Sequence, residues 1–173
     1  LVYFAVGHFG QRKPYKYQPE QTKRDIKAFF DTNKNAQRLA KELLFQIADV
    51  EMIEAECLEA HKTLPKSVLA EEFEKPHSLT FHKQYLDLLS PLLRVYVSSA
   101  LQLYGELEDI QLIKIHINSG KLTLLGYDNF EESNVPTLKE RVKIKMADQD
   151  VDFFDYHLNE HSAPVLENKN EFV

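Results

Sequence analysis

The sequence predicts an α+β fold in which N-terminal helices pack against a C-terminal antiparallel sheet of about four strands. Three observations predict it. Apolar residues recur at helical spacing as far as Gly105, apolar and polar residues alternate after it, and polar turns at 118–121 and 148–150 each separate two alternating runs. The 173 residues (20.2 kDa) read as a single α+β domain, mainly helical over 1–105 and mainly sheet over 106–173. Leu1 opens in the middle of an apolar segment, so the reading expects the C-terminal part of a longer protein.

Residues 1–9 read as a short apolar helix ended near Gly10, because Gly7, Gly10 and Pro14 make continuation costly. Pro19 suits the first turn of a helix running to Phe30, with Thr22, Ile26, Phe29 and Phe30 on one face and Lys23, Arg24 and Lys27 on the other. The clearest helix places Ala36, Leu39, Ala40, Leu43, Leu44 and Ile47 on a single stripe. Asp49 can cap the next, which turns Val50, Ile53, Cys57 and Ala60 inward and Glu51, Glu54, Glu56 and Glu59 outward. Residues 62–80, with Pro65, Pro76 and mixed charges, read as a long irregular connection. Ser90-Pro91 is a strong helix start and Gly105 a stop, which predicts a helix to Tyr104.

Beyond Gly105, Ile113, Ile115 and Ile117 alternate with Lys114, His116 and Asn118, and Leu122 and Leu124 resume the apolar face after Gly120. That is a hairpin. Val142, Ile144 and Met146 alternate with Arg141, Lys143 and Lys145 and lead through a polar turn into Val151–Tyr156, a second hairpin.

Hydrophobic residues make up 43% of the chain and charged residues 28%, a globular composition that argues against disorder. The single cysteine, Cys57, excludes an intramolecular disulfide framework and a multi-cysteine zinc site, and its place on an apolar helix face among glutamates predicts a buried thiol. No apolar run approaches the ~20 residues of a membrane span and no targeting segment shows. A cytoplasmic protein with no membrane partner is the expectation.

The net charge of −6 hides a segregation. Residues 1–41 hold nine basic and three acidic side chains, residues 42–75 three and nine, and residues 148–173 one and seven. Folding can pair such runs, so a solvated surface accounts for them as well as a binding face does. The strand register sharpens the alternative: if the isoleucines point to the core, Lys114, His116, Arg141, Lys143 and Lys145 share the opposite face. Such a face neutralises phosphates, and Arg12, Lys13, Lys16, Lys23, Arg24 and Lys27, with Tyr15 and Tyr17 interleaved for stacking, could extend it. Exposed strand lysines also protect against aggregation.

Catalytic signatures are missing from the sequence: there is no GxSxG elbow, phosphate loop, GxGxxG turn or HExxH helix. Seven histidines invite a metal reading, notably His77 with His82, and His157 with His161 beside Asp155 and Glu160. Asn159 and Ser162-Ala163-Pro164 make 157–161 a loop, so the i, i+4 spacing does not bring the last pair together. A pocket gathering His8, Arg12, Tyr15 and Asp25 would be the first sign of an unfamiliar enzyme.

Six blocks, LVYFAVGHFGQRKPY at 1–15, RDIKAFF at 24–30, ELLF at 42–45, LLRVYVSSA at 92–100, LIKIHINSGKLTLLGYDNFE at 112–131 and VDFFDY at 151–156, carry a resemblance. Together they resemble the C-terminal half of bacterial proteins assigned as methyltransferases and associated with DNA phosphorothioation. The chain departs from that pattern at 62–82 and at Val97-Ser98-Ser99. The resemblance implies an upstream Rossmann-like domain binding S-adenosylmethionine, no cofactor in this chain, and a setting of DNA modification and phage defence. Function is accordingly expected to be non-catalytic DNA binding or target positioning. The alternative is a scaffold whose acidic segments contact the catalytic domain or another protein of the modification machinery.

Overall fold

The computed structural model describes residues 1–8, 15–105, 107–158 and 162–173. The helices are α1 (Val2–Val6), α2 (Glu20–Phe30), α3 (Asn33–Gln46), α4 (Val50–Thr63) and α5 (Pro91–Tyr104). Each of the last three starts where a side-chain oxygen accepts an otherwise unpaired backbone N–H. Thr32 Oγ1 takes that of Asn35 at 3.1 Å, the Asp49 carboxylate those of Glu51 and Met52 at 3.0 and 3.2 Å, and Ser90 Oγ that of Leu93 at 3.4 Å. Gly105, at φ 106°, ends α5 in a conformation that a side chain would strain. Two helix ends differ from expectation. Helix α1 closes at Gly7, with Phe9 and Gly10 outside the described residues, and Pro19 caps α2 from just before its first turn.

Six strands form one antiparallel meander in chain order: β1 (Val68–Glu72), β2 (Lys75–His82), β3 (Leu112–His116), β4 (Lys121–Asp128), β5 (Thr137–Lys145) and β6 (Asp150–Asp155). Helix α5 is inserted between β2 and β3. The expectation of about four strands is corrected to six, because the segment read as irregular at 62–80 supplies β1 and most of β2. Its turn hid it: Phe73 and Glu74 both take positive φ (52° and 60°), the two-residue geometry usually advertised by Asn-Gly, with neither residue present. Pro76 is tolerated because it lies beyond the pairing with β3 and beside a register shift against β1.

The strand register agrees with the alternation. Ile113, Ile115, Leu122, Leu124, Val142 and Ile144 are fully buried on one face, beneath α4 over β1–β2 and α5 over β5–β6. Each such side chain contributes roughly 1.5–3 kcal/mol on leaving water. Outside that layer α1 and α3 pack on α5, and α2 packs on α3, close approaches permitted by Ala5, Ala36 and Ala40. Phe29 and Val50, expected inward, are corrected to exposed. Helix α2 packs mainly on α3 and buries only Ile26, so its apolar stripe is wider than its contact. Val50 sits at the first position of α4, before that helix reaches the core.

The sheet's second face is divided. At one end Phe130, Leu166 and Phe172 pack over Leu112, Leu125 and Val68, while Lys169 Nζ donates to the carbonyls of Phe130, Glu131 and Ser133 and holds the C-terminal segment down. The other end is open.

Candidate cationic groove on the open sheet face

Strict alternation turns every second residue of β3–β6 onto the open face, and antiparallel pairing lines them up in rows across the strands. The central row runs Lys114, Thr123, Lys143, Asp152; one flanking row runs His116, Lys121, Lys145, Asp150 and the other Leu112, Leu125, Arg141, Phe154. Most of these residues, with Phe153, line a cavity of about 530 Å³.

The cations are not equivalent. Lys145 Nζ bridges Asp150 at 2.9 Å and Asp152 at 3.0 Å, and those hydrogen bonds push its pKa up and that of Asp150 down. Its charge is answered. Lys114 and Lys143, on either side of Thr123, form no ion pair among the described residues, and Arg141 lays its guanidinium over the Phe154 ring at 5.7 Å. Two strand spacings separate Lys114 from Lys143, roughly 10 Å, so each feels the other's field.

His116 reports that field. Its Nε2 lies 2.9 Å from Thr123 Oγ1, and its pKa is pushed down to about 4, first by burial and then by Lys114, Lys143, His77 and Lys121. At neutral pH it is an uncharged hydrogen-bonding group, so the face expected to present five cationic or titratable groups presents His116 neutral and Lys145 paired. Thr123, Asp152 and Phe154 belong to the groove and Lys121 to its flanking row, although sequence reasoning did not name them for it. Their signal was available for β4, because Leu122 and Leu124 pointing inward force Lys121 and Thr123 outward.

Lys23 and Lys27 of the N-terminal basic group do not join this surface. Lys23 is paired with Glu20 at 2.7 Å, and Lys27 is exposed in the last turn of α2, a helix that packs on α3 on the far side of the core. Lys16 sits in a short 3-10 turn with Nζ 4.6 Å from the Tyr17 ring centroid. Arg12 and Lys13 lie outside the described residues, so the pocket of His8, Arg12, Tyr15 and Asp25 does too.

The remaining chemical candidates are occupied structurally. Cys57 is buried and its thiol pushed up to about 12, first by burial and then by Glu56 and Glu54. His77 pairs with Glu72 at 3.2 Å, His82 stacks on Phe130 at 5.4 Å, and His157 pairs with Asp128. His161 and Glu160 lie outside the described residues; among those described, no three potential metal ligands cluster. Gly7 closes α1, Gly105 closes α5, Gly120 turns the β3–β4 hairpin and Gly126 lies within β4. None of these four stands in a turn leading from a strand into a helix, the place where a Rossmann-like site would cradle S-adenosylmethionine. Among the described residues no helix is long and apolar enough to cross a membrane. No family model matches the chain, and neither a curated protein nor a solved structure matches it.

Proposed function

We propose that this chain is a DNA-binding module, the target-holding part of a DNA-modification methyltransferase whose S-adenosylmethionine belongs to a separate domain. The observation that carries the reading is the pair Lys114 and Lys143. Two ammonium groups held on one sheet face, in no ion pair among the described residues, beside a third cation on an aromatic ring, form a fixed concentration of positive charge that a phosphate backbone can neutralise. The resemblance described above supplies the DNA-modification setting, and the face supplies the physical means.

Reversing both charges, Lys114→Glu with Lys143→Glu, tests the reading. Both side chains are on the solvent side of their strands, so folding should survive, while the slope of log affinity against log salt should flatten by about 1.8 for duplex and about 1.4 for single-stranded DNA. The control, Glu54→Lys with Glu59→Lys on α4, moves the net charge by the same amount in the opposite sense, far from the groove. Equal and opposite effects of the two pairs would show a response to net charge alone and overturn the reading.

A second reading, an interaction module, is favoured by Phe29 and Phe45, 76% and 72% exposed on the outer helices. Its test is Phe29→Ser with Phe45→Ser, which should abolish association with a catalytic domain and leave DNA affinity unchanged.

A further inference from the structure

We infer that the groove takes single-stranded DNA in preference to duplex, with the backbone on Lys114 and Lys143 and an unstacked base on the Arg141–Phe154 platform. The inference rests on the phosphate-binding reading of the same face and adds which form of DNA it selects. Three features of the groove favour a single strand.

The first is the platform. Arg141 and Phe154 are direct cross-strand partners with the guanidinium 5.7 Å from the ring centroid, and Tyr156 braces that ring edge-on at 4.5 Å. Aromatic rings and guanidinium planes are the surfaces on which unstacked bases settle, and in duplex DNA every base face is already covered by its neighbours. The second is position. Lys114 and Lys143 rise from inner strands at the floor of a cavity of about 530 Å³, within the range that accommodates small-molecule-sized groups, rather than from a ridge that could track a groove of the double helix. A single strand can lower its phosphates to that floor.

The third feature is the polar complement beside the platform. Thr123 and neutral His116 offer hydrogen-bonding groups, and Asp152, although bridged to Lys145, presents a carboxylate at the wall. A carboxylate there accepts hydrogen bonds from the Watson–Crick-edge donors of an unpaired base, donors that pairing engages in a duplex.

The experiment measures fluorescence anisotropy of labelled oligonucleotides of about a dozen nucleotides, a length that covers one such site. Single-stranded DNA, the same sequence as duplex, and the same sequence as RNA are each titrated at two or more salt concentrations. Four proteins are compared: the parent chain, Phe154→Leu, Phe154→Tyr, and Lys114→Gln with Lys143→Gln. The expected result is that single-stranded DNA binds at least tenfold tighter than duplex and tighter than RNA. Phe154→Leu should lose roughly 5- to 150-fold on the single strand with an unchanged salt slope, since stacking and not charge is removed. Phe154→Tyr, which keeps the ring, should restore binding, and thermal melts of both variants confirm that the sheet is intact. Duplex binding as tightly as the single strand, with Phe154→Leu indifferent, overturns the selectivity while leaving the phosphate face standing. Tighter RNA binding overturns the choice of DNA. Affinity for no oligonucleotide, or affinity indifferent to the double glutamine variant, overturns both readings.

Discussion

His116 projects from β3 onto the open face, and removing the lysine charges beside it should change how the protein responds to acid. Its neutral form is the one that the folded state favours, because burial and the Lys114 and Lys143 charges hold its pKa near 4 against an ordinary value of 6.5. Above about pH 6.5 both folded and unfolded chains carry it uncharged, and it contributes nothing to pH dependence. Between about pH 6.5 and 4 the unfolded chain binds the proton and the folded chain does not, so stability falls with pH. Taken whole, the shift amounts to about 3 kcal/mol, and the share screened by solvent around a half-buried ring reduces this to about 1–2 kcal/mol. The assay is chemical denaturation at pH 7 and pH 4.5 for the parent and for His116→Gln, whose difference cancels the carboxylates and His82 common to both. The parent should lose about 1–2 kcal/mol more than the variant over that interval. Lys114→Gln with Lys143→Gln should raise the His116 pKa, read from its ring proton resonance, but only in part, since burial is the largest cause and remains. A His116 that titrates near 6.5, or one unmoved by removing both lysines, would refute the electrostatic account of the groove.

Further outcomes follow from particular contacts. Ile144→Lys should cost several kcal/mol in a denaturation curve, because a fully buried side chain beneath α5 would be exchanged for an unpaired charge. Gly126→Ala should cost about 1–3 kcal/mol, since its new Cβ would meet the Asp109 carbonyl oxygen at 2.7 Å and Glu140 Cγ at 2.8 Å. Lys145→Gln should leave the salt slope of DNA binding almost unchanged, because Asp150 and Asp152 already neutralise that ammonium; a loss equal to that of Lys143→Gln would show the bridges to be replaced by phosphate.

What was legible in the sequence follows how local its cause is. The inward set of Ile113, Ile115, Val142 and Ile144 is written in strict alternation, and from it the outward set of Lys114, Arg141, Lys143 and Lys145 follows without any tertiary information. The caps at Asp49 and Ser90 are equally local. Strands β1 and β2 were hidden because Phe73 and Glu74 adopt left-handed backbone that their own chemistry does not favour; the pairing of Val68 to Glu72 with Lys75 to Thr80 imposes it. The separation of the α2 lysines from the sheet face was not legible, since it depends on which face of α5 receives α3 and on α2 then stacking outside α3. The silent state of His116 needs burial and three neighbouring strands at once. Lys145 is intermediate: its partners are five and seven residues beyond it, both in the next strand, so once β5 and β6 are paired, the bridge to Asp150 and Asp152 can be read from register.

The central claim is that DNA occupies the open face around Lys114 and Lys143, and amide and histidine-ring NMR during a titration with single-stranded DNA tests it most directly. The account predicts that the largest shifts fall on Lys114, Thr123, Lys143 and Phe154, and that the His116 pKa rises as phosphates arrive, because a nearby anion favours the protonated ring. Shifts concentrated instead on Lys23 and Lys27 of α2, with His116 still titrating near 4, would contradict it.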